Sequence, residues 1–250
     1  MRKPLIAGNW KMHKTEAEAI NLVRKLMRRL RNLNRVEVLV CPPFTALSQL
    51  NKLLVSSPIY LGAQNISAHP QGAYTGEISA SMVAEFCTHV ILGHSERRTL
   101  YGETDELINR KIKAARQANL IPILCIGEKA KERQEGTSAQ ILTKQLKGGL
   151  KDIVIKDSRD VLIAYEPVWA IGSGQSPSPE NAADVIGELI RHTLTSMWGA
   201  ETAQATRILY GGSVNPANAG RFLTQEEIDG VLVGGASLDA EMFLSIVEHL

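Results

Sequence analysis

The stretches Ile208-Leu209-Tyr210-Gly211-Gly212-Ser213 and Val231-Leu232-Val233-Gly234-Gly235-Ala236 share one form, a short apolar run closed by two glycines. Neither run alternates polar with apolar residues, so neither reads as a strand with one face in water. A strand apolar on both faces belongs to a parallel sheet covered by helices. Working back along the chain, six more such runs appear: Leu5–Ala7, Val36–Val40, Ile59–Ala63, Val90–Leu92, Ile121–Ile126 and Val161–Tyr165. With Arg207–Tyr210 and Val231–Val233 they make eight candidate strands. Pro122 is tolerable because it falls at the start of its run.

The segments between the runs carry helix signals. Thr15-Glu16-Ala17-Glu18 fits a capping box, and Ile20, Val23, Met27 and Leu30 follow at helical spacing. Ser178-Pro179-Glu180 offers an N-cap, a proline at the first helical position and an acidic first turn. Ala182, Val185, Ile186, Leu189 and Ile190 form its buried stripe, and a last helix from about Leu238 repeats the pattern with Met242 and Ile246. Between Ala130 and Lys156 the periodicity is broken by Gly136, Gly148 and Gly149. Eight strand–helix units with no linker or shift in composition predict a (β/α)₈ barrel, α/β in class, as one domain over residues 1–250. The competing reading, a doubly wound open sheet, calls for a Gly-rich dinucleotide turn after the first strand, and Gly8-Asn9-Trp10-Lys11 is not one.

Composition sets outer limits. The 250 residues are 44% hydrophobic and 22% charged, with a formal net charge of +2, the balance of an ordinary globular protein. The densest basic run, Arg28-Arg29-Leu30-Arg31, lies in a predicted helix and reads as a solvated face. No basic stripe interleaved with aromatics suggests a nucleic-acid partner. The apolar runs are too short to span a bilayer, and Pro4 and Gly8 interrupt the only run near Met1-Arg2-Lys3, so neither a membrane span nor a signal segment is expected. Cys41, Cys87 and Cys125 are odd in number and widely spaced, which fits free thiols in a reducing cytoplasm better than disulfides or zinc.

In a barrel of this kind the chemistry sits where strands end. Strand 1 delivers Asn9 and Lys11, strand 3 Gln64-Asn65, strand 4 His94-Ser95-Glu96 and strand 6 Glu166. Strands 7 and 8 deliver Gly211-Gly212-Ser213 and Gly234-Gly235-Ala236-Ser237. Glycines without Cβ let backbone N–H groups approach an anion, and two such pairs on consecutive strands point to phosphate rather than to two unrelated tight turns. Glu166 is followed by Pro167-Val168-Trp169-Ala170-Ile171-Gly172-Ser173-Gly174, too apolar for a solvated connection and suited to a lid hinged at its ends. Burial under such a lid raises a carboxylate's pKa and makes it a better base. A His94 facing a helix N-terminus would favour the neutral imidazole, still able to donate to a carbonyl oxygen. Histidines 13, 69, 89, 192 and 249 lack such surroundings, and Cys125 reads as a small core residue. One base, one electrophile and an anion cradle, with no metal set and no dinucleotide motif, describe proton transfer without a cofactor on a small phosphorylated substrate.

The ordered motifs carry a resemblance. Gly-Asn-Trp-Lys-Met at 8–12, Gly-Ala-Gln-Asn at 62–65, Gly-Ala-Tyr-Thr-Gly-Glu-Ile-Ser at 72–79 and Gly-His-Ser-Glu-Arg-Arg at 93–98 come first. Tyr-Glu-Pro-Val-Trp-Ala-Ile-Gly at 165–172, Tyr-Gly-Gly-Ser at 210–213 and Leu-Val-Gly-Gly-Ala-Ser-Leu at 232–238 complete the set. Over its whole length the chain resembles the triosephosphate isomerases. That resemblance implies interconversion of dihydroxyacetone phosphate and D-glyceraldehyde 3-phosphate through an enediol or enediolate, a reaction of glycolysis and gluconeogenesis. Glu166 is implied as base, neutral His94 as electrophile, Lys11 with Asn9 as holder of the substrate's charge, and Glu96 as orienting group. Gly172, Ser213, Gly234 and Gly235 are implied as phosphate donors, and the lid would keep the enediolate from eliminating phosphate.

The resemblance also implies a homodimer in which the loop Ala68–Glu77 brings Thr75 near the partner's Asn9, Lys11 and Glu96, with Glu77 paired to Arg97 across the interface. Three positions depart from the family pattern: His13 stands where Asn is common, Ser173 where Thr is, and Pro177 where Ala is. If relatives latch the closed lid by a Tyr210 hydroxyl on the backbone N–H at 177, a proline cannot supply that N–H. Two alternatives are a Schiff-base aldolase or lyase using Lys11, trapped by borohydride if real, and a non-catalytic phosphate-binding barrel.

Overall fold

A computed structural model describes residues 2–155, 157, 160–171 and 176–250. All eight candidate strands form: β1 Leu5–Asn9, β2 Glu37–Cys41, β3 Ile59–Ala63, β4 His89–Leu92, β5 Ile121–Ile126, β6 Leu162–Tyr165, β7 Ile208–Tyr210 and β8 Gly230–Val233. They pair in parallel in sequence order, and β1 closes on β8 with Leu5 opposite Gly230 and Gly8 opposite Val233. The structure is the closed barrel that the run pattern predicts.

The helices are α1 Glu16–Arg29, α2 Phe44–Leu54, α3 Ala80–Ala84, α4 Ser95–Leu100, α5 Asp105–Gln117, α6 Ala130–Gln134 and α7 Ser138–Gly149. After β6 come α8 Pro179–Asp184, α9 His192–Trp198, α10 Ala200–Ala205, α11 Ala219–Leu223 and α12 Ala240–Val247. Thr15 closes the capping box on α1 with Glu18, and Ser178 caps α8. Each strand alternates between two dry environments. Leu5 and Ala7 join Leu39, Ile91, Ile123 and Leu162 inside the barrel, while Ile6, Val38, Val40 and Ile163 pack outward under the helices. Two apolar faces explain why the runs show no polar alternation.

Three local readings change. The broken segment after β5 is two helices: Gly136, at φ +69°, occupies the left-handed turn between α6 and α7. Gly148 and Gly149 lie within α7, where a Cβ at either position would crowd Asp105 or Leu124, so close packing rather than a turn accounts for these glycines. Val185–Arg191 is wound as a π-helix between α8 and α9, an extra residue per turn that the apolar stripe does not reveal. The last helix starts at Ala240 rather than Leu238, preceded by a 3₁₀ turn over Gly235–Leu238, and Met242 is exposed while Phe243 and Ile246 are buried. Among the described residues, no helix is long and apolar enough to cross a membrane.

Candidate active site

Asn9 is the last residue of β1 and buried; Lys11 follows with φ +53°, in the left-handed region. A non-glycine residue there costs about 1 kcal/mol. The surroundings hold it: the Lys11 N–H donates to Asn9 Oδ1 at 3.1 Å, and Gln64 Nε2 donates to the Lys11 carbonyl at 2.8 Å and the Cys41 carbonyl at 2.9 Å. This backbone aims the ammonium across the mouth, where Nζ meets Glu96 Oε1 at 2.6 Å.

His94 sits just before α4 as its N-cap, and its Nδ1 accepts the Glu96 N–H at 3.3 Å. A second proton on Nδ1 would point at that N–H, so the geometry favours the neutral ring with its hydrogen on Nε2. That hydrogen faces Glu166 Oε1 at 3.1 Å, while Glu166 Oε2 accepts the Ser95 N–H at 3.1 Å. Burial pulls the His94 pKa down, while the charge and hydrogen bond of Glu166 and the charge of Glu96 raise it above 6.5; this pull toward the imidazolium is opposed by the Glu96 N–H, which occupies the place of a proton on Nδ1. For Glu166, burial raises the pKa, yet His94, the Ser95 N–H and Lys11 together bring it below 4.5. The expected net rise is therefore absent in this arrangement: Glu166 is buried but well accompanied.

Two glycines make space for Glu166, one for its backbone and one for its side chain. A Cβ on Gly127 would overlap the Glu166 carbonyl oxygen at 1.6 Å, and one on Gly211 would lie 2.8 Å from Glu166 Cγ. The loop past β8 starts at Gly234, whose carbonyl accepts both the N–H and the hydroxyl of Ser237. A Cβ on Gly235 would meet nothing within 4 Å. Past β7 the Ser213 carbonyl is fixed by Asn218 Nδ2 at 2.9 Å. Asn9, Lys11, His94, Glu96, Glu166, Ser213, Gly234 and Gly235 thus all lie at or just past strand ends at one mouth. Gly172 and Ser173 lie outside the described residues. Asn65 serves a separate network: it accepts from buried Lys111 at 2.8 Å, and Lys111 Nζ also reaches Glu103 at 2.5 Å.

A curated protein from Endomicrobium trichonymphae named triosephosphate isomerase is 48% identical over 250 residues, covering 100% of this chain and 99% of its own. One of the same name from Dictyoglomus thermophilum is 49% identical over 249 residues, covering 99% and 100%. The family model described as triosephosphate isomerase matches residues 4–250. The chain belongs to the triosephosphate isomerase family. The crystal structure of triosephosphate isomerase from Bartonella henselae superposes with a TM-score of 0.90 at 40% identity, covering 99% of this chain and 98% of that one. Full-length agreement with triosephosphate isomerases supports the isomerase activity and the phosphorylated triose as substrate, and does not favour the aldolase or the non-catalytic barrel.

One site group escaped the sequence reading. Glu128, one residue past the Gly127 that follows β5, is 1% exposed, and its Oε1 accepts from Trp169 Nε1 at 2.7 Å and the Tyr165 hydroxyl at 3.2 Å. The Arg133 guanidinium lies 4.3 Å from the Trp169 ring centroid. Glu128 thus ties the start of the Glu166 loop to β5 and β6. Strand-end inspection extended to β5 would have found it, because Gly-Glu-Lys follows that apolar run as polar residues follow the others.

Proposed function

We propose that Glu166 transfers the proton, that His94 polarises the carbonyl, and that Lys11 with the two glycine loops holds the charge of a triose phosphate. The observation carrying this is the 3.1 Å contact between His94 Nε2 and Glu166 Oε1. A carboxylate and an imidazole aimed at each other, inside a mouth with one ammonium, can flank two adjacent carbons of a small substrate. A substrate between them takes over the Nε2 hydrogen bond. Glu166 then loses the His94 hydrogen bond, one of the contacts that lower its pKa, while staying buried, so its proton affinity rises when it must act as base. His94 donates its Nε2 hydrogen to the carbonyl oxygen, and Lys11, oriented by Glu96, faces the developing enediolate. Asn9 supports Lys11, and Gly172, Ser213, Gly234 and Gly235 present backbone N–H groups to phosphate. The apolar run from Pro167 to Gly174 acts as the lid that excludes water.

The same reading takes the chain as one domain over residues 1–250 and as a homodimer in the cytoplasm. Support for the dimer lies in apolar side chains exposed in and after the loops that follow β1, β2, β3 and β4: Met12 (94% exposed), Phe44, Tyr74, Met82, Leu100 and Tyr101 (68% exposed). A contiguous apolar patch marks an association site, and the dimer reading takes these side chains as parts of one. Residues 70–77 are exposed, Tyr74 stacks on His69 at 4.1 Å, and the Ser67 N–H bonds the Ile78 carbonyl to close the loop base. Arg97 is held by Glu103 at 2.5 Å within this chain, and Glu77 of a second copy would meet it from outside. Cys41, Cys87 and Cys125 are buried and unpaired, as a reducing compartment allows.

A coupled assay on purified protein with glyceraldehyde 3-phosphate, beside Glu166→Gln, tests the catalytic reading. Loss of about 10⁴-fold or more in kcat is expected for removal of the base, and retention of activity within tenfold contradicts the assignment.

A further inference from the structure

The basic run at the end of α1 reads as a solvated face in the sequence, but the structure gives it a shape. Arg24 and Arg28 stand at i and i+4 on one side of α1, about 5–6 Å apart, and Arg31 lies in the turn just past the end of the helix. All three line a cleft of about 340 Å³ between the carboxyl end of α1 and the chain that leaves α2 for β3. This cleft lies at the end of the barrel where strands begin, opposite Glu166.

Its lining carries three cations and no carboxylate. Arg29, off that face, pairs with Glu248 at 2.8 Å and Glu241 at 4.0 Å. Among the described residues, Arg24, Arg28 and Arg31 have no ion-pair or hydrogen-bond partner. Like charges at i, i+4 repel one another on an empty helix, so an anion placed among them relieves that repulsion. Arg28 also complements the carbonyl end of α1, but Arg24 lies more than a turn inside it. Met27 on α1 and Leu53 and Pro58 from the other wall give the cleft apolar lining, and Ser56 and Ser57 add hydroxyls. Ser57 Oγ accepts the Ile59 N–H at 3.2 Å, which leaves its own hydrogen to donate.

We propose that this cleft binds a polyphosphate chain, either inorganic or carried by a nucleoside. One phosphate cannot engage three guanidinium groups spread from the last turns of α1 to the turn beyond it, whereas consecutive phosphates can each take one by paired N–H donors. The volume and the apolar side leave room for a small ring beside the chain.

The test is calorimetric titration of the full-length protein with tripolyphosphate and with ATP at physiological ionic strength. Arg28→Gln/Arg31→Gln is expected to weaken binding at least tenfold while isomerase activity stays at the wild-type level. Lys25→Gln/Arg29→Gln, which removes the same charge from the same helix, is expected to change it less than threefold, and Lys11→Met to leave it in place. ATP binding more tightly than tripolyphosphate assigns the nucleoside form, and equal affinities assign the inorganic chain. No binding of either probe at millimolar concentration overturns the proposal. So does an equal loss in Lys25→Gln/Arg29→Gln, or wild-type affinity in Arg28→Gln/Arg31→Gln.

Discussion

Gly211→Ala would place a methyl carbon 2.8 Å from Glu166 Cγ and 3.6 Å from its Oε1. Gly211 does not sit in the left-handed region, so alanine is not strained by its backbone there. The clash falls instead on the carboxylate, because the other close atom is the Tyr165 carbonyl oxygen at 3.4 Å, fixed by the Gly211 N–H at 2.7 Å. Restoring ordinary carbon–carbon contact displaces Glu166 by about 0.6 Å or more. A misplacement of about 1 Å at a reacting group costs about 100-fold. The expected loss in kcat/KM is therefore roughly 10- to 100-fold, or about 1.4–2.7 kcal/mol of transition-state stabilisation. Overpacking adds a separate stability cost of about 1–3 kcal/mol, read from a thermal melt and distinguished from the kinetic effect by assaying well below the transition. A Gly211→Ala enzyme that keeps kcat/KM within threefold of wild type would refute the claim that the position of Glu166 is set by this packing.

Three further outcomes follow from other parts of the molecule. Lys11→Met removes the ammonium at the mouth and should lower kcat/KM by about 10²- to 10³-fold with an unchanged melt, since its partner Glu96 is 42% exposed and stays hydrated; retained activity in steady-state kinetics contradicts the role. His89 is buried in β4, and burial with the nearby Arg207 charge lowers its pKa to about 3. The neutral form is favoured in the fold, so stability is complete above pH 6.5 and falls as pH drops toward 3, by about 5 kcal/mol in all; chemical denaturation between pH 7 and 4 should show this slope shrink in His89→Gln. The Tyr210 hydroxyl is buried and has no partner among the described residues, and Pro177 is buried without an N–H. Pro177→Ala supplies that donor and should change turnover and lid kinetics with the fold intact; identical steady-state and relaxation measurements would sink the idea.

The barrel was legible because each strand is buried on both faces and its composition shows it. Leu5 and Ile6 point into different cores, yet both had to be apolar. The mouth was legible for a related reason: Asn9, His94 and Glu166 interrupt apolar context immediately after such runs. Tertiary partners were not. Glu128 is buried by Tyr165 and Trp169, which lie 37 and 41 residues away in sequence. The direction of the Glu166 pKa depends on a histidine, a backbone N–H and a lysine brought from two other strand ends. Arg24, Arg28 and Arg31 carry the composition of a wet helix face, and only the approach of the segment after α2 makes them the wall of a cleft. The π-turn at Val185–Arg191 leaves the apolar stripe in place and so leaves no trace in periodicity.

The central claim is that Glu166 carries a proton between neighbouring carbons of the substrate. A carboxylic acid formed by that step exchanges its proton with solvent in competition with giving it back, so a fraction of turnovers takes up solvent hydrogen. Conversion of dihydroxyacetone phosphate in D₂O, followed by NMR, is the direct measurement. The account predicts deuterium on the carbon beside the carbonyl in the product, and also in recovered substrate, with both signals lost in Glu166→Gln. Product formed without solvent deuterium, or labelled product from Glu166→Gln at the wild-type rate, would contradict it.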